Sequence, residues 1–291
     1  MNVYRNYGPQ ALELQYDPEA GVAGVKECLE RYAIESRRLR ASHPARLDVA
    51  YGPGPAQRLD IYLAEHGERV PIQVFVHGGA WKGSAKEDRS FPADAFCSRG
   101  AAWIGLEYPL APAVALDEIV QQVREGIAWI YRNAATFGAD STRLYISGSS
   151  AGAHLCAMVI ATDWKRFGLA PSVIAGATLI SGIFDLEPLS LTRGYAHLRL
   201  DPESVERNSP IHHLPGRECP LVVAVGRAET AEFVRQSVDY FRTWTDRGFA
   251  GHLMVLDGHH HFSIMGEMSR RESPLHRAML AQMGLALEPA R

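Results

Sequence analysis

The stretch Arg143-Leu-Tyr-Ile-Ser-Gly-Ser-Ser-Ala-Gly-Ala-His154 decides how this chain folds. Its first half reads as a buried β-strand and its second half opens an apolar helix, with Gly148-Ser149-Ser150-Ala151-Gly152 between them. Strand, G-x-S-x-G and helix in that order are the context of a nucleophile elbow, a sharp turn that lifts a serine hydroxyl clear of the sheet. Glycines at 148 and 152 let strand and helix close on each other around the turn. Ser150 is therefore the candidate nucleophile.

Outward from the elbow, apolar strands alternate with helices. Upstream, Arg46–Tyr51 and Arg58–Leu63 are short alternating runs separated by Gly52-Pro-Gly-Pro, a hairpin signal. Ile72–His77 and Ala101–Tyr108 read as continuous buried strands, and Ile119, Val123, Ile127 and Ile130 form one stripe of a helix. Downstream come strand Val173–Ser181, a mixed segment Leu191–Leu214 of short helices, strand Pro220–Val225, helix Glu232–Asp246, strand His252–Leu256 and an amphipathic tail Leu275–Leu285. Before the hairpin, residues 1–20 read as an irregular arm rich in tyrosine, followed by a helix from Val22 to about Arg40. The alternation predicts an α/β fold with a largely parallel sheet, helices on both faces and functional loops at the carboxyl ends of the strands. With no repeat or linker in view, residues 1–291 are expected to form a single domain, with 1–45 an arm and helix packing near the active site.

A serine hydroxyl is a weak nucleophile and needs a base, which in turn needs an orienting acid. In elbow-bearing folds these follow the serine in the order acid, then histidine. Strand 220–225 is followed by Gly226-Arg-Ala-Glu229, and strand 252–256 by Asp257-Gly-His-His-His261-Phe262. Glu229 is the expected acid and His261 the expected base, with His259 and His260 as competitors for the base and Asp185 as rival acid. His154 is expected to be packed, and His212 and His213 to lie at the surface. The oxyanion hole is expected from the amides of Gly79, Ala80 and Ala151, with Gly78 as a substitute, because His77-Gly78-Gly79-Ala80-Trp81 follows an earlier strand.

Composition narrows the field. The chain has 291 residues, 46% hydrophobic and 22% charged, with net charge −3. That is an ordinary globular balance with no basic block, which argues against nucleic-acid binding. No apolar run reaches the length of a membrane span and the amino terminus lacks a signal-peptide core. Cys28, Cys97, Cys156 and Cys219 are scattered without a CxxC pair, so reduced thiols and a cytoplasmic location are expected. The histidine trio lacks a second ligand cluster at metal spacing, so no metal site is expected.

The chain resembles the α/β-hydrolase superfamily and, within it, the kynurenine formamidases (arylformamidases). His77-Gly-Gly-Ala-Trp81 is similar to that family's HGGxW, Ser181-Gly-Ile-Phe-Asp-Leu-Glu-Pro188 to its SGxxDLEP, and Ser150–Leu155, Arg207–Pro210, Glu232–Ser237 and His261-Phe262 to further family stretches. The resemblance implies hydrolysis of an N-formyl or small acyl group from an arylamine, N-formyl-L-kynurenine first, with no cofactor and a small-molecule substrate. It departs from the family at Glu229, where aspartate is usual, and at Ser149, where histidine is common. Trp81, Tyr108, Phe184 or an arm tyrosine would stack the aryl ring, Trp81 foremost. Arg193 and Arg207 are candidates for a substrate carboxylate. A carboxylesterase acting on small aryl or short-chain esters, or a hydrolase-fold binding protein with an impaired triad, are the competing readings. Oligomeric state stays open, a homodimer included.

Overall fold

A computed structural model describes residues 2–285. In chain order the elements are α1 (Pro9–Gln15), α2 (Val25–Ser42), β1 (Ala45–Ala50), β2 (Arg58–Tyr62), β3 (Val70–Val76), α3 (Ala93–Cys97), β4 (Ala102–Leu106), α4 (Leu116–Asn133), β5 (Ala139–Ser149), α5 (Ala151–Ile160), β6 (Gly176–Ile180), α6 (Glu187–Ser190), α7 (Pro202–Asn208), β7 (Leu221–Gly226), α8 (Ala231–Asp246), β8 (Gly251–Leu256) and α9 (Pro274–Gln282). All eight strands join one sheet in the order β1-β2-β4-β3-β5-β6-β7-β8. β2 pairs antiparallel with β1 and β4, and every other pairing is parallel. The parallel core strands β3, β4, β6 and β7 are buried along their whole length, which is why they read as unbroken apolar runs rather than alternations.

Burial explains the elements around the sheet. On α4, Ile119, Val123, Ile127 and Ile130 are wholly buried, as their helical spacing predicts. The hairpin forms with a bulge between Arg46 and Val49. It is pinned by Lys86, whose buried ammonium lies 2.7 Å from Asp48 and 3.2 Å from Asp60. The arm departs from the irregular reading, because residues 9–15 form a helix. Pro9 sits in its first turn, where a missing N–H costs nothing, and Leu12 and Tyr16, four residues apart, are both buried. The short α3 was absent from the sequence reading, and Val173 and Ile174 lie buried just ahead of β6 rather than within it. Among the described residues no helix is long and apolar enough to cross a membrane.

The elbow is fixed by space. β5 hands over to α5 through Ser150, whose backbone adopts φ 57° and ψ −121°. A side-chain carbon at position 148 would stand 2.4 Å from the Gly152 carbonyl carbon. One at position 152 would stand 2.0 Å from the Val76 carbonyl oxygen on β3. No side chain fits either gap, so both glycines are demanded by the close approach of β3, β5 and α5. Gly78 is constrained in the same way, since a carbon there would lie 2.6 Å from the Ser149 carbonyl oxygen. That contact presses the loop after β3 against the elbow.

Candidate active site

Three strand ends bring the expected residues together. Ser150 stands at the end of β5, Glu229 follows β7 and His261 follows β8. Ser150, His261 and the backbone at 78–80 line one cleft of about 750 Å³. His261 Nδ1 lies 2.7 Å from Glu229 Oε2. A carboxylate only accepts, so the ring proton sits on Nδ1 and leaves Nε2 as the basic nitrogen. The imidazole is held between Phe233, 4.5 Å away between ring centres, and Phe262, 5.4 Å away. Among the described residues no hydrogen bond joins Ser150 to His261, a contact that in unliganded hydrolases is commonly long and tightens with substrate.

The Glu229 side chain is fully buried and its other oxygen is fully engaged. Oε1 accepts from the Gly226 amide at 2.7 Å and from Ser181 Oγ at 2.6 Å. Ser181 was not singled out as a site residue in the sequence. It stands just past β6 with φ +52°, a conformation that costs energy in a non-glycine residue, and its own amide bonds to Ala224 on β7. The signal lay in the position, since a serine at the strand end between the elbow strand and the acid strand is placed to reach the acid.

The rivals fall into other roles. Asp185 Oδ1 accepts the Glu187 amide at the start of α6, and Oδ2 accepts the Tyr4 hydroxyl at 3.4 Å. The His260 backbone amide donates to Ser263 Oγ at 3.0 Å, and His259 lies 3.7 Å from Glu267. His212 is exposed and 3.7 Å from Glu206.

The loop after β3 carries a run of left-handed residues, with Gly79 at φ 113°, Ala80 at 52° and Trp81 at 55°. Its carbonyls are taken up elsewhere. Ala80 O lies 2.8 Å from His197 Nε2, and Trp81 O accepts the Ala111 amide at 2.7 Å. The amides of Gly79, Ala80 and Ala151 make no hydrogen bond among the described residues; Gly79 and Ala80 line the cleft, and Ala151 follows the cleft-lining Ser150. Behind the loop, His77 Nε2 donates to Glu107 Oε1 at 2.8 Å, and the ring stacks on Tyr108 at 4.2 Å. Burial raises the Glu107 carboxyl, but hydrogen bonds from His77, Lys86 and Tyr108 outweigh it and hold the group below the usual range.

The expected aryl wall needs correction. Trp81 is wholly buried, packed edge-on against His154 at 5.0 Å and Tyr195 at 6.3 Å, and does not line the cleft. Tyr108 and Phe184 are likewise core residues, Phe184 stacked on Tyr240 at 4.2 Å. The arm tyrosine among the candidates is Tyr16, which lines the cleft together with Tyr195 and Phe262. The arm is tied down there, with Tyr16 Oη 2.9 Å from Glu232 and 2.6 Å from Gln236 on α8. Arg207 pairs with Asp117 outside the cleft, and Arg193 is absent from the cleft lining.

His154 is buried beneath the loop, with Nε2 donating to the Asn208 carbonyl at 2.7 Å. Burial pushes its pKa down to about 4, against the smaller opposite effect of that carbonyl. The unfolded chain binds this proton below about pH 6.5, and the folded chain refuses it until about pH 4. Stability from this group is therefore complete above pH 6.5 and is lost as the pH falls toward 4, by about 3 kcal/mol in full. His154→Gln is expected to lose less stability than the parent between pH 7.5 and 4.5, read as the shift in urea midpoint. Equal losses would remove His154 as the source.

A mostly parallel sheet with a strained serine at its central elbow, and a histidine–carboxylate pair at two later strand ends, defines an α/β hydrolase. Residues 59–169 match the BD-FAE family. The chain is 30% identical over 303 residues to the kynurenine formamidase of Danio rerio, across 98% of this chain and 99% of the relative. A Silicibacter sp. structure described as a candidate thioesterase superposes with TM-score 0.80 at 29% identity, over 92% of this chain and 98% of its own. The carboxylesterase EstE1, from a metagenomic library, shares the fold with TM-score 0.71 at 18% identity, over 92% of this chain and 99% of its own. The chain is a hydrolase and belongs to the kynurenine formamidase family.

Proposed function

We propose that the chain removes the N-formyl group of an arylamine, with N-formyl-L-kynurenine as substrate and formate and L-kynurenine as products. The observation that carries this is the His261–Glu229 pair, 2.7 Å apart, opening on the same cleft as the strained Ser150. The near full-length likeness to a kynurenine formamidase supports the acyl group and the amine. Ser150 Oγ attacks the formyl carbon while His261 Nε2 takes its proton. The Gly79, Ala80 and Ala151 amides receive the oxyanion, each such donor being worth about 3–4 kcal/mol in the transition state. His261 then gives its proton to the departing aniline nitrogen. Water, deprotonated by the same ring, attacks the formyl-serine, and formate leaves as Ser150 regains its proton. Every step draws on side chains and amides of this chain.

The arm's bonds to α8 support reading residues 1–291 as one domain in which the arm finishes the cleft. The test is steady-state kinetics on N-formyl-L-kynurenine and on p-nitrophenyl acetate. The formamide is expected to show the higher kcat/KM. A far higher value on the ester would replace this reading with a carboxylesterase.

A further inference from the structure

Arg89 lines the cleft beside Ser84 and Met265 and is only partly exposed. Its one side-chain hydrogen bond among the described residues runs from Nη1 to the Asp88 backbone carbonyl at 3.0 Å. No carboxylate oxygen approaches it within ion-pair distance there, whereas Arg40, Arg207 and Arg235 are each paired. Burial lowers the Arg89 pKa from its ordinary value, the mark of a charge removed from water without full compensation. A guanidinium presents five donors in a planar fork that fits a carboxylate, and most of this fork is unused. Lys82 also lines the cleft, but it is exposed and its Nζ lies 3.4 Å from the Gly194 carbonyl.

The same cleft is lined by three acids of the arm, Glu13, Asp17 and Glu19. Glu13 is committed to the Arg193 and Gly194 amides at 2.8 and 2.6 Å. Asp17 caps its own turn through the Glu19 amide at 3.1 Å. No lysine or arginine lies within ion-pair distance of Asp17 or Glu19 among the described residues. A plain anion entering here meets the Arg89 fork and the exposed Lys82 together with three negative charges. A zwitterion carries a charge for each.

We propose that Arg89 is the specificity-determining residue that receives the α-carboxylate of an aryl-substituted amino acid, with the arm carboxylates on the side of its ammonium group. This deepens the formamidase reading and rests on it for the substrate class, and it puts Arg89 in place of the candidates Arg193 and Arg207. It also explains why the arm, which adds no strand to the sheet, is bound down at the cleft.

The test uses p-nitrophenyl acetate turnover as reporter, with L-kynurenine and kynuramine, the same aryl ketone without the carboxylate, as competitive inhibitors. Wild type is expected to bind L-kynurenine about ten- to a hundredfold more tightly than kynuramine, the range of a charge-assisted hydrogen bond. Arg89→Gln is expected to abolish that preference through L-kynurenine alone. Arg89→Lys, which keeps the charge but not the fork, should restore part of it. Equal inhibition constants for the two compounds in wild type, or a preference that survives in Arg89→Gln, would overturn the assignment. A parallel loss for both compounds would make Arg89 a packing residue and overturn it too. Hydrolysis of N-formyl-L-kynurenine is measured alongside. Its absence, with the inhibitor preference intact, would sink the formamidase reading and leave the carboxylate site standing.

Discussion

Ser150→Ala is expected to lower kcat by about 10⁵- to 10⁶-fold on whichever acyl substrate proves best, with the far-UV circular dichroism unchanged. Removing the nucleophile of a serine triad costs about as much as removing the whole triad, because the three groups act as a unit. The residue sits at φ 57° whatever its side chain, so alanine inherits the same backbone and the sheet should be untouched. A fluorophosphonate should label the wild type and leave the variant unmodified, located by mass spectrometry of the peptide. Residual activity within about a hundredfold of wild type would place the nucleophile elsewhere.

Glu229→Gln is expected to lower kcat by about 10⁴-fold, the scale seen when a triad acid loses its charge and its hold on the ring tautomer. The geometry makes the effect specific. Oε2 takes the His261 proton, while Oε1 takes one hydrogen bond from a main-chain amide and one from Ser181. A glutamine keeps the size, and with its oxygen accepting both bonds at the Oε1 position its NH2 faces His261 Nδ1, which must then accept and carry the ring proton on Nε2 instead. Ser181→Ala, which removes one of these bonds, should lower kcat by about tenfold and leave KM nearly unchanged, a split that simple destabilisation would not give. Asp185→Ala is expected to leave kcat intact and cost about 1 kcal/mol in stability, the worth of a lost turn cap. If Asp185→Ala abolished turnover and Glu229→Gln did not, the acid would move to Asp185.

Much of this arrangement was legible before the fold was known. Gly148 and Gly152 announced a turn, and their contacts with Val76 and with each other are steric demands that only glycine meets. The core strands showed as apolar runs because parallel strands are covered on both faces. The choice of His261 over its two neighbours was harder, since three consecutive histidines differ only in where the chain aims them after β8. What the sequence withheld was mostly tertiary. The α1 helix is a seven-residue segment, too short to hold on propensity, and it depends on burying Leu12 and Tyr16. Trp81 has the composition of a ring-stacking residue, yet its left-handed backbone accompanies a side chain wholly within the core. Arg89 carries no local pattern, and Ser181 opens a family-like stretch that says nothing of its bond to the acid. Their significance comes from which strand end or cleft they reach, and a run of letters does not encode that.

The binding of the arm to α8 bears on how such an enzyme changes its substrate. The proposed nucleophile, base, acid and oxyanion donors all belong to segments that the sheet fixes, and a shift in any one disturbs the rest. Tyr16, Asp17 and Glu19 belong to a segment that contributes no strand and touches the sheet's chemistry only across the cleft. As proposed, the arm's share in selecting the substrate and the execution of the reaction therefore lie in separate stretches of chain. A changed amine preference would therefore be sought at the arm's cleft-lining positions and at Arg89, with the elbow and its partners left as they are.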